Sequence, residues 1–533
     1  MANNILKVKH QSSTSSKIIL TWNAIFPAAV SGILLFLSFP KYGSGFFAWI
    51  ALIPLFWALR EKISIRQGLL LGFITGVACH IGLIYWITYV VVSYGYLPIY
   101  LGIILMLLLA CYLSLYTAIF AAGIVFFRHK IPLFLAAPVL WVCLEWCKSN
   151  LLTGFPWENL GYSQYLNYYL VQFADVSGVF GLSFLIVLAN AALFTVIVKK
   201  SKKGFILAAA VILIIIGILI YGVNRARQVD TILQNAEQIE ISLIQGNIDQ
   251  SIKWNENFQK ETINIYEQLS LQNAPAKGSL IVWPETALPF NFQDVNNFQK
   301  QVREISLKTK SWFIFGSTRY EESDADTDYY NSAYLLSPAG EIKGKYDKVH
   351  LVPYGEYVPL RNIFPFIKKL TAGMGDFTAG IGYNPLTMDN KKIGVLICYE
   401  GILPFAARTY KKEGAGVLVN ITNDAWFGDT SAPFQHFSMA VFRAVETRLY
   451  LARAANTGIS AIVDPKGKIV AETDIFEKAS LKGNVKYSNI QTIYVKYGDV
   501  LVIVCFLLVV FYFILVLFKR EGKKCQEKIY RKR

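Results

Sequence analysis

The stretch Lys392-Ile393-Gly394-Val395-Leu396-Ile397-Cys398-Tyr399-Glu400-Gly401 decides how the chain is read. Residues 392–397 form a short apolar run of the kind that makes a buried strand, and Cys398 falls where that strand ends and a helix is expected to start. A side chain at such an elbow projects from the sheet, and the backbone N–H groups that follow it can hold an oxyanion. The dipole of a helix N-terminus would also favour a thiolate.

Around this stretch, β-rich runs recur at 239–245, 280–283, 312–316, 333–336, 417–421 and 461–463. Polar, helix-compatible segments such as 257–271 and 294–309 lie between several of them. The alternation predicts an α/β domain of layered sheets with covering helices, without giving the strand order.

The rest of the chain is different in kind. Of the 533 residues, 54% are hydrophobic and 17% charged, whereas soluble domains carry roughly a quarter charged residues. Apolar runs near 23–40, 43–59, 68–93, 97–127, 131–147, 171–198, 205–223 and 500–518 are read as eight membrane spans. This divides the chain into a seven-span unit at 1–223, an extramembrane domain at 224–498, and an eighth span with a basic tail at 499–533.

The net charge of +16 is concentrated in segments 1–22, 60–66, 128–130, 199–203 and 519–533. Together they hold 20 of the 52 Lys and Arg and 3 of the 36 acidic residues, leaving 32 bases against 33 acids elsewhere. All five segments fall on one side of the eight spans. The positive-inside rule therefore places both termini in the cytoplasm and exports residues 224–498. The near-neutral remainder and the lack of a nucleic-acid motif argue against a nucleic-acid partner. Phe39, Pro40 and Lys41 follow the first span in place of a small-residue cleavage motif, so that span is expected to be a retained anchor. Gly72 and Gly76 could mark a close helix contact.

Of seven cysteines, Cys79, Cys111, Cys143, Cys147 and Cys505 lie in or beside spans and Cys525 in the tail; Cys398 alone belongs to the exported domain. A lone cysteine there is either buried and inert or a free reactive thiol. A nucleophile needs a proton acceptor, and the candidates are His350, His436, Glu285 at the end of Ile281-Val282-Trp283-Pro284-Glu285, and Lys348. Glu145 and Asp175, near outer span ends, are expected to be satisfied by snorkelling or pairing.

Trp283-Pro284-Glu285, the run KVHLVPYGEYVP at 348–359 and Cys398-Tyr399-Glu400 resemble the nitrilase superfamily and, within it, the bacterial apolipoprotein N-acyltransferases. The resemblance extends through Gly246-Asn247, Trp254, Asn423-Asp424-Ala425-Trp426-Phe427-Gly428 and Ala455-Asn456-Thr457-Gly458. In the membrane half it includes Gly154-Phe155-Pro156-Trp157 and the eight spans. It implies an αββα nitrilase-like sandwich, periplasmic and anchored in the bacterial inner membrane. It also implies a Glu285, Lys348 and Cys398 triad that moves a fatty acyl chain from a phospholipid, through a cysteine thioester, to the N-terminal amine of a diacylglyceryl-modified apolipoprotein. In that scheme Glu285 carries the proton, Lys348 and the Tyr399 N–H face the oxyanion, and Glu356 positions the lysine. Tyr399 and Glu400 shape the pocket or bind the acceptor, and Trp254 lines the donor site. No cofactor or metal is called for.

Lipid substrates require a site facing the bilayer. Phe364 and Phe366, followed by glycines at 373, 375, 380 and 382, suit a mobile loop that dips into the interface, and Trp426 and Phe427 suit a second. Two other readings compete. In a membrane-tethered nitrilase-type amidase, water would resolve the thioester. A transporter with an accessory domain would need interior ionisable residues or an internal repeat, and neither is evident.

Overall fold

The computed structural model describes residues 20–530, apart from 252, 273–275, 323–326 and 360–375. The membrane half contains α1 (Trp22–Phe36), α2 (Ile53–Ala58), α3 (Ile65–Ile84), α4 (Trp86–Gly95), α5 (Ile99–Phe127), α6 (Leu133–Asn150), α7 (Ala174–Lys199) and α8 (Lys202–Leu233). Among the described residues, five helical stretches are long and apolar enough to cross a bilayer: Ile65–Ile84, Ile99–Phe127, Val171–Val198, Lys202–Leu233 and Val500–Leu517. At 15 residues, α1 is about 22 Å long, short of a hydrocarbon core of roughly 30 Å.

The expected second span, 43–59, is not one helix. A 3-10 turn at Phe47–Trp49 precedes the six residues of α2. The glycines permit this: a Cβ on Gly43 would lie 1.7 Å from Leu37 O, and one on Gly45 2.1 Å from Ser163 O. Asn190 of α7 then satisfies the interrupted backbone, donating to Ala48 O and accepting from Leu52 N–H, each at 2.9 Å. Irregular backbone at membrane depth requires such buried partners. The expected span 68–93 is likewise two helices, α3 and α4, and α8 runs ten residues past 223, to Leu233, before the first strand.

Gly72 and Gly76 do mark a close helix contact, within the chain. Cβ atoms there would fall 2.4 Å from Thr117 O and 2.7 Å from Ser114 Cα of α5.

Among the described residues, the part of the chain after α8 has twelve strands. One six-stranded sheet is built from β1 (Gln238–Gln245), β2 (Leu280–Val282), β3 (Trp312–Glu322), β4 (Thr327–Leu336), β5 (Ile342–Asp347) and, from the far end of the domain, β12 (Ala479–Lys486), in the order β12-β1-β2-β3-β4-β5. The other comprises β6 (Leu386–Met388), β7 (Lys391–Ile397), β8 (Val417–Thr422), β9 (Tyr450–Ala455), β10 (Ala461–Val463) and β11 (Ile469–Glu472), in the order β11-β10-β9-β8-β7-β6. Each sheet has a parallel centre, β1-β2-β3 in one and β7-β8-β9 in the other. The crossovers are α9 (Glu256–Gln272) and α10 (Asn297–Thr309), then α11 (Pro404–Lys412) and α12 (Ala432–Thr447).

Side-chain alternation along the strands creates the layers. In β2, Leu280 and Val282 pack with Val395, Ile397, Val417 and Val419 of the opposite sheet. Ile281, with Trp283 just beyond β2, packs instead with Ile263, Tyr266, Val302 and Ile305 of α9 and α10. The layering is helix, sheet, sheet, helix, as expected. The short helix α13 (Ile493–Tyr497) then leads into α14 (Val500–Tyr530).

The two halves share buried polar contacts. Asp175, at the start of α7, accepts from Arg448 at 2.8 and 3.0 Å and from Arg225 at 2.7 Å. Arg448 is fully buried, so the pairing expected for Asp175 is found, in a joint between membrane and catalytic halves. Glu145 does not snorkel: it is buried and accepts from Leu160 N–H at 2.6 Å. Breaking a buried pair from one side typically costs 3–5 kcal/mol. Arg448→Met is expected to destabilise the protein by about 3 kcal/mol, because Arg225 stays on Asp175, with the loss measured by thermal unfolding in detergent.

Candidate active site

Strand ends deliver the site. Glu285 follows β2, Lys348 follows β5, Cys398 follows β7 and Asn423 follows β8. The carboxyl ends of parallel strands are where open α/β sheets gather functional groups.

Cys398 adopts φ 53°, a left-handed conformation that costs a non-glycine residue on the order of 1 kcal/mol or more. The α-helix expected directly after it is displaced. A 3-10 turn, Cys398–Ile402, intervenes before Pro404 opens α11. The cause is Glu400, whose fully buried carboxylate accepts from the Ile397 N–H at 2.9 Å and so folds the chain back on its strand. The helix dipole therefore gives no help to a thiolate. Burial, followed by the negative charge of Glu285, pushes the Cys398 thiol above the ordinary thiol range, and Lys348 pulls in the opposite direction.

Lys348 is buried, with its ammonium 2.9 Å from Glu356 and 3.6 Å from Glu285. Burial alone would lower its pKa, but the Glu356 and Glu285 carboxylates outweigh that and hold it above the ordinary lysine value. Glu356 also accepts from Val352 N–H at 2.8 Å, as befits a residue that fixes the lysine.

Asn331 joins the acids. Its amide nitrogen donates to Glu285 at 2.8 Å and to Glu356 at 2.9 Å, while the Asn423 N–H donates to the other Glu285 oxygen at 3.0 Å. The sequence reading passed over Asn331, which sits inside an ordinary strand pattern on β4. Lys253 was missed too. It is buried, donates to Thr286 Oγ1 at 2.8 Å, and is lowered to about 8 by burial, with Glu285 acting the other way.

Both histidines are engaged by groups other than the thiol. The His350 ring stacks on Tyr399, centroids 5.8 Å apart. His436 lies between Asp424 Oδ1, at 2.9 Å, and the Cys398 carbonyl oxygen, at 3.3 Å, so it bears on the nucleophile's backbone. Burial, with the nearby Arg453, lowers the pKa of His436. Arg453 in turn donates to the second Asp424 oxygen at 2.7 Å.

The Glu400 carboxylate is occupied by donors of the chain itself. Besides Ile397 it receives the N–H groups of Val349 and His350 at 2.9 and 3.0 Å and the Tyr346 hydroxyl at 2.9 Å. Burial raises it to about 7. Tyr399 lies between His350 and Trp157, the latter ring 6.5 Å away and nearly parallel.

Trp426 and Phe427 belong to a docked turn. Trp426 meets Tyr94 at 4.9 Å, and Phe427 meets Trp86 at 5.1 Å and Trp157 at 6.0 Å. Gly428 at φ 57° allows the close approach, since a Cβ there would lie 2.3 Å from the Tyr89 ring. Trp254 is 38% exposed and belongs to neither of the domain's two large hydrophobic clusters. Phe364 and Phe366 lie outside the described residues. The chain resumes beside the site, where the Phe377 N–H donates to Glu356 O at 2.9 Å. Among the described residues no cluster of His, Cys, Asp and Glu suits a metal ion.

An elbow cysteine, a buried acid and a buried lysine at the strand ends of a two-sheet sandwich define a carbon-nitrogen hydrolase domain. The family description "Carbon-nitrogen hydrolase" matches residues 240–494, and "Apolipoprotein N-acyltransferase N-terminal domain" matches residues 31–192. The apolipoprotein N-acyltransferase of Geobacter metallireducens is 44% identical over 90% of this chain and 92% of its own. That of Nitrosomonas europaea is 32% identical over 85% and 89%, and that of Rickettsia prowazekii 35% identical over 71% and 76%. The chain belongs to the apolipoprotein N-acyltransferase family.

Because the resting thiol titrates above the ordinary value of about 8.5, its thiolate fraction at neutral pH is small and grows as pH rises. Iodoacetamide alkylation of Cys398 is expected to be slow near neutrality and to accelerate without levelling off through that value. Lys348→Met, which removes a cation that pulls the thiol down, should slow it further. A plateau near neutral pH, read by mass spectrometry, would contradict this.

Proposed function

We propose that the protein transfers a fatty acyl chain from a phospholipid to the N-terminal amine of a diacylglyceryl-cysteine apolipoprotein, through a thioester on Cys398. The convergence of Glu285 and Lys348 on the elbow thiol carries the reading. The family membership and the relatives' names support the acceptor. The five long apolar helices support a lipid donor; counting the shorter α1, the broken 43–59 segment and α6 with them, we assign the chain eight crossings, both termini in the cytoplasm, and a periplasmic catalytic domain in the bacterial inner membrane.

In the first half-reaction Glu285 removes the Cys398 proton as the sulfur attacks the donor ester carbonyl. The tetrahedral oxyanion is held by the Lys348 ammonium and the Tyr399 N–H. Collapse breaks the ester C–O bond, and the lysophospholipid alkoxide leaves with the proton from Glu285. In the second, the acceptor amine attacks the thioester, Glu285 takes a proton from the nitrogen, and collapse expels the sulfur, which recovers that proton. The products are an amide and the free thiol, so no energy-rich co-reactant is required.

A buried Lys348 held charged by two carboxylates suits an oxyanion partner better than a proton carrier. Removing one such donor typically lowers kcat by 10²–10³. Lys348→Met is expected to lose activity by about that factor with KM little changed. With phospholipid and a diacylglyceryl peptide supplied together, amide should be the main product. Dominant free fatty acid would favour the amidase reading.

A further inference from the structure

Where the chain passes from α13 into the spanning helix α14, an open groove of about 710 Å³ lies between α11 and α13. Lys411, Lys412 and Lys496 line it, and none of the lining residues is acidic. Lys412 and Lys496 are exposed, but Lys411 is 3% exposed, and among the described residues its ammonium donates to a single neutral acceptor, Ser488 O, at 2.8 Å. A lysine at a helix C-terminus is ordinarily explained by the helix dipole. That accounts for an exposed Lys412 and leaves unexplained a buried ammonium with two of its three N–H donors unassigned to any protein acceptor. Burial lowers Lys411 to about 8, so an anion in the groove would favour its charged form.

The rim is apolar. Ile493 is 54% exposed, Tyr497 58% and Val500, the first residue of α14, 46%. Because the apolar stretch of α14 begins at Val500, the lysines stand beside the point where that helix would enter the bilayer on the catalytic-domain side, and a lysine near an anionic lipid surface contributes about 1 kcal/mol.

We propose that this groove binds the phosphate headgroup of an anionic phospholipid, with the three lysines around the phosphate and Ile493 and Tyr497 against the start of its acyl chains. None of these residues belongs to the catalytic set, and the proposed lipid is distinct from the acyl donor at Cys398.

The test counts lipids retained by the full-length protein in native mass spectrometry, titrating phosphatidylglycerol, with phosphatidylcholine as the zwitterionic comparator. Wild type should retain phosphatidylglycerol in preference. Lys412→Gln/Lys496→Gln, which changes only exposed side chains, should weaken that retention about 25-fold, or roughly fivefold per lysine, while acyl transfer from phosphatidylethanolamine continues. Equal phosphatidylglycerol retention by the variant would overturn the proposal. So would displacement of the lipid by inorganic phosphate, which would make the groove a free-phosphate site. Intact acyl transfer in the variant keeps this result separate from any failure of the reaction at Cys398.

Discussion

The buried carboxylate of Glu400 sets the distance between nucleophile and lysine. It takes hydrogen bonds from Ile397, immediately before Cys398, and from Val349, immediately after Lys348. Two separate sheets are thereby tied at the point where their functional residues emerge, and the left-handed Cys398 is over-determined by its neighbours. A carboxylate with backbone N–H donors on both oxygens is expensive to bury and costly to disturb. The same constraint explains why a 3-10 turn replaces the first turn of a helix, and why no helix dipole is aimed at the thiol.

The membrane half takes part in this arrangement. Trp157, from the loop after α6, stacks on Tyr399 and donates to Gln435 of α12 at 2.8 Å. Phe427 packs against both Trp157 and Trp86. Aromatic faces from both halves thus surround the residue after the nucleophile. The Asp175 and Arg448 pair fixes the joint at the other end of α12.

Much of this was legible in the sequence, for identifiable reasons. Residues 392–397 read as a strand because β7 is buried on both faces, and apolar, from Ile393 onward. The Trp283-Pro284-Glu285 and 348–359 motifs marked strand ends whose side chains meet only in three dimensions. Edge strands were missed: β12 and β11 are half exposed and mixed in composition, so they lack the apolar signature. Asn331, Lys253 and Arg453 were invisible because their roles lie in partners far along the chain. The segment 43–59 has the composition of a span but not its backbone, since Gly43, Gly45 and the distant Asn190 decide its path. Composition reports hydrophobic depth; it does not report which carbonyls find a partner.

The chemical claim at the centre is that Cys398 carries the acyl group between donor and acceptor. The most direct measurement is intact and peptide mass spectrometry of the purified protein after incubation with phospholipid and no acceptor. A single acyl mass on Cys398, removed when a diacylglyceryl-cysteine peptide is added and recovered as amide on that peptide, is the expected result. An unmodified Cys398, or amide formed at undiminished rate by Cys398→Ala, would contradict it.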